Sequence, residues 1–126
     1  MDARYAARVF GAAAVFNVLV GAVGLLSPSL TAKLLGIDPP HNPIFAVLAS
    51  WLILVFGFGY ALVARNPAGN RDLMLLGAVG KLFVLPIMIA AWLRGWAGAA
   101  AIPPAAGDFI FALLFFDVRR RLTPTP

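Results

Sequence analysis

Residues 72–93 read DLMLLGAVGKLFVLPIMIAAWL. As a helix this stretch is about 33 Å long, at 1.5 Å per residue. That matches a hydrocarbon core of about 30 Å. Its one interior charge is Lys81. A soluble domain has no use for so long an apolar run, so the stretch reads as a membrane span carrying a lysine near its middle.

The rest of the chain fits that reading. Of its 126 residues, 62% are hydrophobic and 12% charged, against roughly 25% charged in soluble domains. Mean hydropathy is +0.92. Apolar runs of about 20 residues divide the chain into four spans, at about residues 5–26, 44–64, 72–93 and 104–118. The expected fold is all-α: one integral membrane four-helix bundle over residues 1–126, with short loops.

Punctuation marks the boundaries. Ser27-Pro28 ends span 1, and Pro39, Pro40 and Pro43 exclude a helix interior before span 2. RNPAGNRD (residues 65–72) is a polar turn in which Asn70 is the expected N-cap of span 3. Gly95 is a helix stop, and Pro103-Pro104 suits a helix start. Residues 96–103 remain ambiguous between an extra turn of span 4 and a segment dipping into the interface. Leu30, Leu34 and Ile37 recur at helical spacing, which fits a short interfacial helix or a packed connector. Span 1 exceeds a usual signal-peptide core, and LLSPSL is a poor cleavage site.

Net charge is +5, but the basic residues sit at the edges of apolar segments, which suits lipid headgroups rather than nucleic acid. With four spans both termini share a side. That side carries Arg4, Arg8, Arg65, Arg71, Arg119, Arg120 and Arg121; the other carries Lys33 and Arg94. The bias predicts cytoplasmic termini in an inner (plasma) membrane. Trp51, Trp92 and Trp96 fall near the outer edge, as in an interfacial aromatic belt.

Chemistry is narrowly bounded. There is no cysteine and one histidine, His41. Disulfides and thiolate sites are excluded, and no phosphate loop, dinucleotide fingerprint or nucleophile elbow occurs. Asp38 with His41 falls short of the three or four ligands a closed metal site needs. No cofactor is expected.

One polar layer stands out. Counting from the cytoplasmic edge at 1.5 Å per residue, Lys81 lies about 15 Å deep, Asp108 about 16 Å and Asn17 about 14 Å. Tyr60 starts about 8 Å deep, with its hydroxyl pointing either to this layer or to the interface. Small residues flank the group: Gly21 and Gly24 beside Asn17, Gly77 before Lys81, Ala105 and Ala112 around Asp108, and Gly57 and Gly59 on span 2. A lone charge at mid-membrane costs about 2.5–3.5 kcal/mol; pairing Lys81 with Asp108, completed by Asn17, offsets much of this. Pro86 frees the carbonyl of Leu82, adding an acceptor near Lys81 and a kink. Asp117 reads as an interfacial partner of the arginines beside it. Structural pairing, a functional polar site and a snorkelling Lys81 remain open at this point.

The pattern resembles small bacterial four-span proteins of the DoxX-like type. The likeness rests on length, an early arginine and Asn17 on span 1, GFGY at residues 57–60, GK at residues 80–81, and a basic C-terminus. The resemblance implies a membrane protein, in some members tied to respiratory or redox partners. No cysteine or second histidine is present to carry redox chemistry. Three functions fit: a membrane accessory protein that contacts a membrane-protein partner or further copies of itself through helix faces; a ligand-binding or proton-coupled transport unit centred on Lys81 and Asp108; and a lipid-modifying enzyme using that pair as acid and base.

Overall fold

The computed structural model describes residues 3–122 and is all-helical over them. Its helices are α1 (Ala3–Leu26), α2 (Pro28–Leu35), α3 (Ile44–Arg65), α4 (Arg71–Leu82), α5 (Val84–Leu93) and α6 (Ile102–Arg121), with single 3₁₀ turns at Ala68–Asn70 and Ala99–Ala101. Among the described residues, four helical stretches are long and apolar enough to cross a membrane: Ala3–Leu26, Ile44–Arg65, Ala68–Leu93 and Ala99–Arg121. The fourth starts earlier than residue 104, because the 99–101 turn runs directly into α6. Residues 99–103 therefore extend the fourth stretch.

The third stretch is not one continuous α-helix. It breaks at Phe83, between α4 and α5. Pro86 explains the position: its ring clashes with the carbonyl four residues back, that of Leu82. Restarting the helix at Val84 places Pro86 in a first turn, where no backbone donor is needed. The freed Leu82 carbonyl is not a partner of Lys81, whose ammonium donates to side chains instead.

Asn70 occupies the position before α4 but makes no side-chain cap there. Its amide donates to the carbonyls of Leu62 and Asn66, closing the C-terminus of α3. Short helix α2 does have a working cap, the Ser27 hydroxyl accepting from the Leu30 amide at 3.2 Å. Leu30 and Leu34 of α2 face outward while Ala32 is buried.

α1 packs along α3, α4 on α6, and α1 also on α6, while α3 meets α4. Glycines set the α1–α3 approach. A Cβ on Gly21 would lie 2.7 Å from Leu54 Cβ, and one on Gly57 would lie 2.9 Å from Val18 Cγ2. Gly59, by contrast, faces open space and makes no such approach.

The core is lopsided. Phe10, Val63, Met74, Phe115 and Val118 are fully buried, and all lie toward the end where α1 begins and α6 finishes. Phe10 and Phe115 stack there at 4.2 Å. Arginines close this end: Arg71 donates to the carbonyls of Arg119 (2.8 Å) and Leu122, and Arg119 Nε donates back to the Arg71 carbonyl. The two bonds from Arg71 satisfy acceptors that the C-terminus of α6 otherwise leaves open. Asp117 pairs with Arg120 and Arg121 and accepts from the Tyr5 hydroxyl, which ties the starts and ends of the bundle together.

The opposite end is held by loops. Gly36 has φ +65° and Gly95 φ +75°, left-handed positions that suit glycine. The Gly98 amide donates to the Gly36 carbonyl at 2.9 Å. A Cβ on Gly36 would sit 2.9 Å from Gly98 Cα, so this clasp requires the two bare backbones.

Candidate functional site: a charge pair beneath an apolar cavity

Between the closed end and the clasped end, the structure brings Asn17, Lys81 and Asp108 together. Lys81 Nζ donates to Asp108 Oδ1 at 2.5 Å and to Asn17 Oδ1 at 2.8 Å. The distance to Asp108 lies well inside the range of direct ion pairing. The Lys81 side chain is 6% exposed, so it does not snorkel; that of Asp108 is 18% exposed.

Each partner is positioned by its own helix. Asn17 Nδ2 donates to the Ile53 carbonyl at 3.0 Å. That contact fixes the amide so that its oxygen faces the lysine. Lys81 projects from the last turn of α4, just before the break at Phe83. Asp108 lies two turns inside α6, since the helix begins at Ile102.

Aromatic rings surround the ammonium. The ring centroids of Phe16, Phe111 and Tyr60 lie 5.1, 5.4 and 5.5 Å from Lys81 Nζ. All fall within the reach of cation–π attraction. Tyr60 is buried and points to this layer rather than to the interface. Gly77 makes room for it: a Cβ there would be 2.6 Å from Tyr60 Cε1 and 3.1 Å from its hydroxyl. The sequence reading included Tyr60 but missed Phe16 and Phe111. Their signal was present, since Phe16 adjoins Asn17 and Phe111 stands one turn beyond Asp108.

Above the pair lies a cavity of about 430 Å³. Asn17, Tyr60, Lys81 and Asp108 form its polar floor; Val20, Leu35, Leu52, Ile53, Val84 and Met88 are among its apolar walls. This size falls within the roughly 300–1,000 Å³ usual for small-molecule sites. Its exposed rim includes Leu52 and Phe56 of α3 and Gly80 of α4. α5 packs on α6 and on the 99–101 turn, and no comparable packing joins it to α3 among the described residues.

The floor retains unused bonding capacity. An ammonium has three donors, and Asn17 and Asp108 take two of those on Lys81. Among the described residues only Lys81 donates to the Asp108 carboxylate, and the Tyr60 hydroxyl has no hydrogen-bond partner. No buried side-chain nitrogen or oxygen is stranded without a partner among these residues, so Asp108 Oδ2 and the Tyr60 hydroxyl, which have no partner, border accessible space. Asp38 and His41 lie exposed in the α2–α3 loop, and no group of three potential metal ligands occurs among the described residues.

No protein family, curated protein or solved structure matches this chain. The resemblance to DoxX-like proteins therefore rests on the short motifs alone.

Proposed function

We propose that the chain is an integral membrane four-helix bundle with cytoplasmic termini, and that it binds a small, largely apolar molecule above Lys81 and Asp108. The observation that carries this reading is the ion pair at the floor of an apolar cavity. A pair serving only to hold helices together would be packed over on every side. Here the side chains beneath the cavity keep a donor and an acceptor for an occupant.

The basic end supports the orientation. Arg71 and Arg119 clamp one end of the bundle, and Arg120 and Arg121 flank them. Lysine and arginine concentrate on cytoplasmic loops. The absence of cysteine makes single-cysteine labelling clean. Ala68→Cys should react only from the cytoplasm and Asn42→Cys only from outside.

Binding is tested by photolabelling in nanodiscs with a diazirine-bearing C12 chain. Labels should concentrate on Ile53, Val84 and Met88 over the outward-facing Leu19 and Leu113. Gly80→Leu should remove the cavity labels, because a side chain there enters open space at the rim. Uniform labelling of cavity and outer residues refutes the proposal.

A second reading, an accessory protein that meets a membrane partner or another copy, is favoured by α5. None of its residues is buried.

A further inference from the structure

We infer that the occupant of this cavity is an uncharged lipid alcohol whose hydroxyl docks against the Lys81–Asp108 pair. The inference rests on the binding reading above and adds the class of ligand.

The charge balance of the floor comes first. Lys81 and Asp108 carry opposite charges 2.5 Å apart, so the pair is neutral as a unit. An anionic head group would leave one negative charge uncompensated in an apolar cavity. A cationic one would have to share Asp108 with Lys81 and would lie beside the ammonium. Burying an unpaired charge is far more costly than burying a hydroxyl with partners. The floor therefore selects a neutral head.

The unused bonding groups narrow it further. Lys81 keeps one N–H, and the Asp108 carboxylate has no donor besides Lys81 among the described residues. A hydroxyl serves both, donating its proton to the carboxylate and accepting from the ammonium. The Tyr60 hydroxyl, also lining the cavity, supplies a second donor or acceptor. A ketone or an ester offers only acceptor oxygens and leaves the carboxylate unmet. A plain alkyl chain meets neither group.

The volume fits the tail of such a molecule. At about 430 Å³ the cavity lies in the range of small-molecule sites and leaves room for part of an alkyl tail. A longer tail would leave through the rim formed by Leu52, Phe56 and Gly80, along the edge where α3 and α5 do not pack. That edge faces the apolar phase in a four-span arrangement, so the ligand enters sideways from the bilayer.

The test uses the full chain in nanodiscs with three probes. They share one C12 diazirine tail and differ in head: a hydroxyl, a sulfonate or a trimethylammonium. The latter two stay charged at every working pH. In the wild-type protein the alcohol should label Val84 and Met88 at least tenfold more than either charged probe. Asp108→Asn leaves Lys81 unbalanced and should reverse the order of alcohol and sulfonate. If that variant does not fold, the wild-type order decides alone. A charged probe that matches or exceeds the alcohol in the wild-type cavity overturns the ligand class while leaving the binding site standing. No cavity label from any of the three, or from an uncapped alkyl diazirine, overturns the binding reading itself.

Discussion

Replacing Lys81 by methionine removes the ammonium but keeps a flexible side chain of similar length among Phe16, Tyr60 and Phe111. The loss is specific. Asp108 loses its one donor among the described residues, and the Asn17 oxygen loses the donor it is held to face. Breaking a buried ion pair by removing one partner costs about 3–5 kcal/mol. The Asp108 side chain is 18% exposed on the cavity side, so solvation there brings the expected cost to the low end, about 3 kcal/mol. Asp108→Leu should cost at least as much, because Lys81 is the more deeply enclosed partner. The double variant, Lys81→Met with Asp108→Leu, substitutes apolar groups for the whole pair and should recover most of the loss, since such replacements are often neutral. The coupling between the two sites, the double-variant cost less the two single costs, should then be about 5 kcal/mol in magnitude, most of it the charge stranded in each single variant. Reversible unfolding of the four proteins in mixed micelles, followed by helical circular dichroism, measures it. Single variants that each cost under about 0.5 kcal/mol, or costs that simply add, would refute the claim that the two groups act as a pair. A double variant that folds well yet takes no cavity probe would separate the role of the pair in binding from its role in stability.

Other expectations are more local. Gly77→Val forces a branched side chain into the Tyr60 ring and should cost about 1–3 kcal/mol by overpacking; its neighbour Gly80→Ala meets open space and should gain up to about 1 kcal/mol in helix propensity, so opposite Tm shifts for the two are the check. Gly36→Ala strains a positive φ and crowds Gly98; faster hydrogen exchange at the Gly98 amide, with the Arg71 end unchanged, is the expected result. Arg71→Ala removes two bonds to the end of α6 and should raise exchange in the last turn of that helix while leaving cavity labelling intact.

The element plan was legible because it depends on length and hydropathy, which are linear properties of the chain. Asn17, Lys81 and Asp108 could be set at one level for a similar reason: helical rise converts residue number into depth. Depth carries no information about rotation around the helix axis. That is why Phe16 and Phe111 went unassigned, although each adjoins a residue of the layer. Phenylalanine is common in apolar helices, and only the packed bundle tells a ring facing Lys81 from one facing outward. The same limit hid the true role of Asn70. Its position before α4 suggested a cap for the helix that follows, but its amide reaches back to Leu62 and Asn66. Pro86 announced a distortion; the break at Phe83 follows from where its ring meets the preceding turn.

The cavity was not legible because it is a consequence of unequal packing along the bundle. Toward the basic end, Phe10, Phe115, Met74, Val63 and Val118 fill the space between helices. Beyond Lys81 the corresponding positions are filled by Val20, Leu52, Val84 and Met88, which line a void instead of closing it. The break at Phe83 falls at that transition, and α5 then continues with no buried residue of its own. The break at Phe83 coincides with the loss of packing on α3, which α4 meets and α5, among the described residues, does not. On the binding proposal, Pro86 links the chemistry of the site to access to it: ending α4 there would open the gap through which a ligand reaches the lysine. Pro86→Ala tests this link. Restoring a continuous helix should narrow the edge between α3 and α5 and lower cavity labelling, while Asn17, Lys81 and Asp108 remain paired. Unchanged labelling in a protein whose third stretch had become straight would show that the opening has another cause.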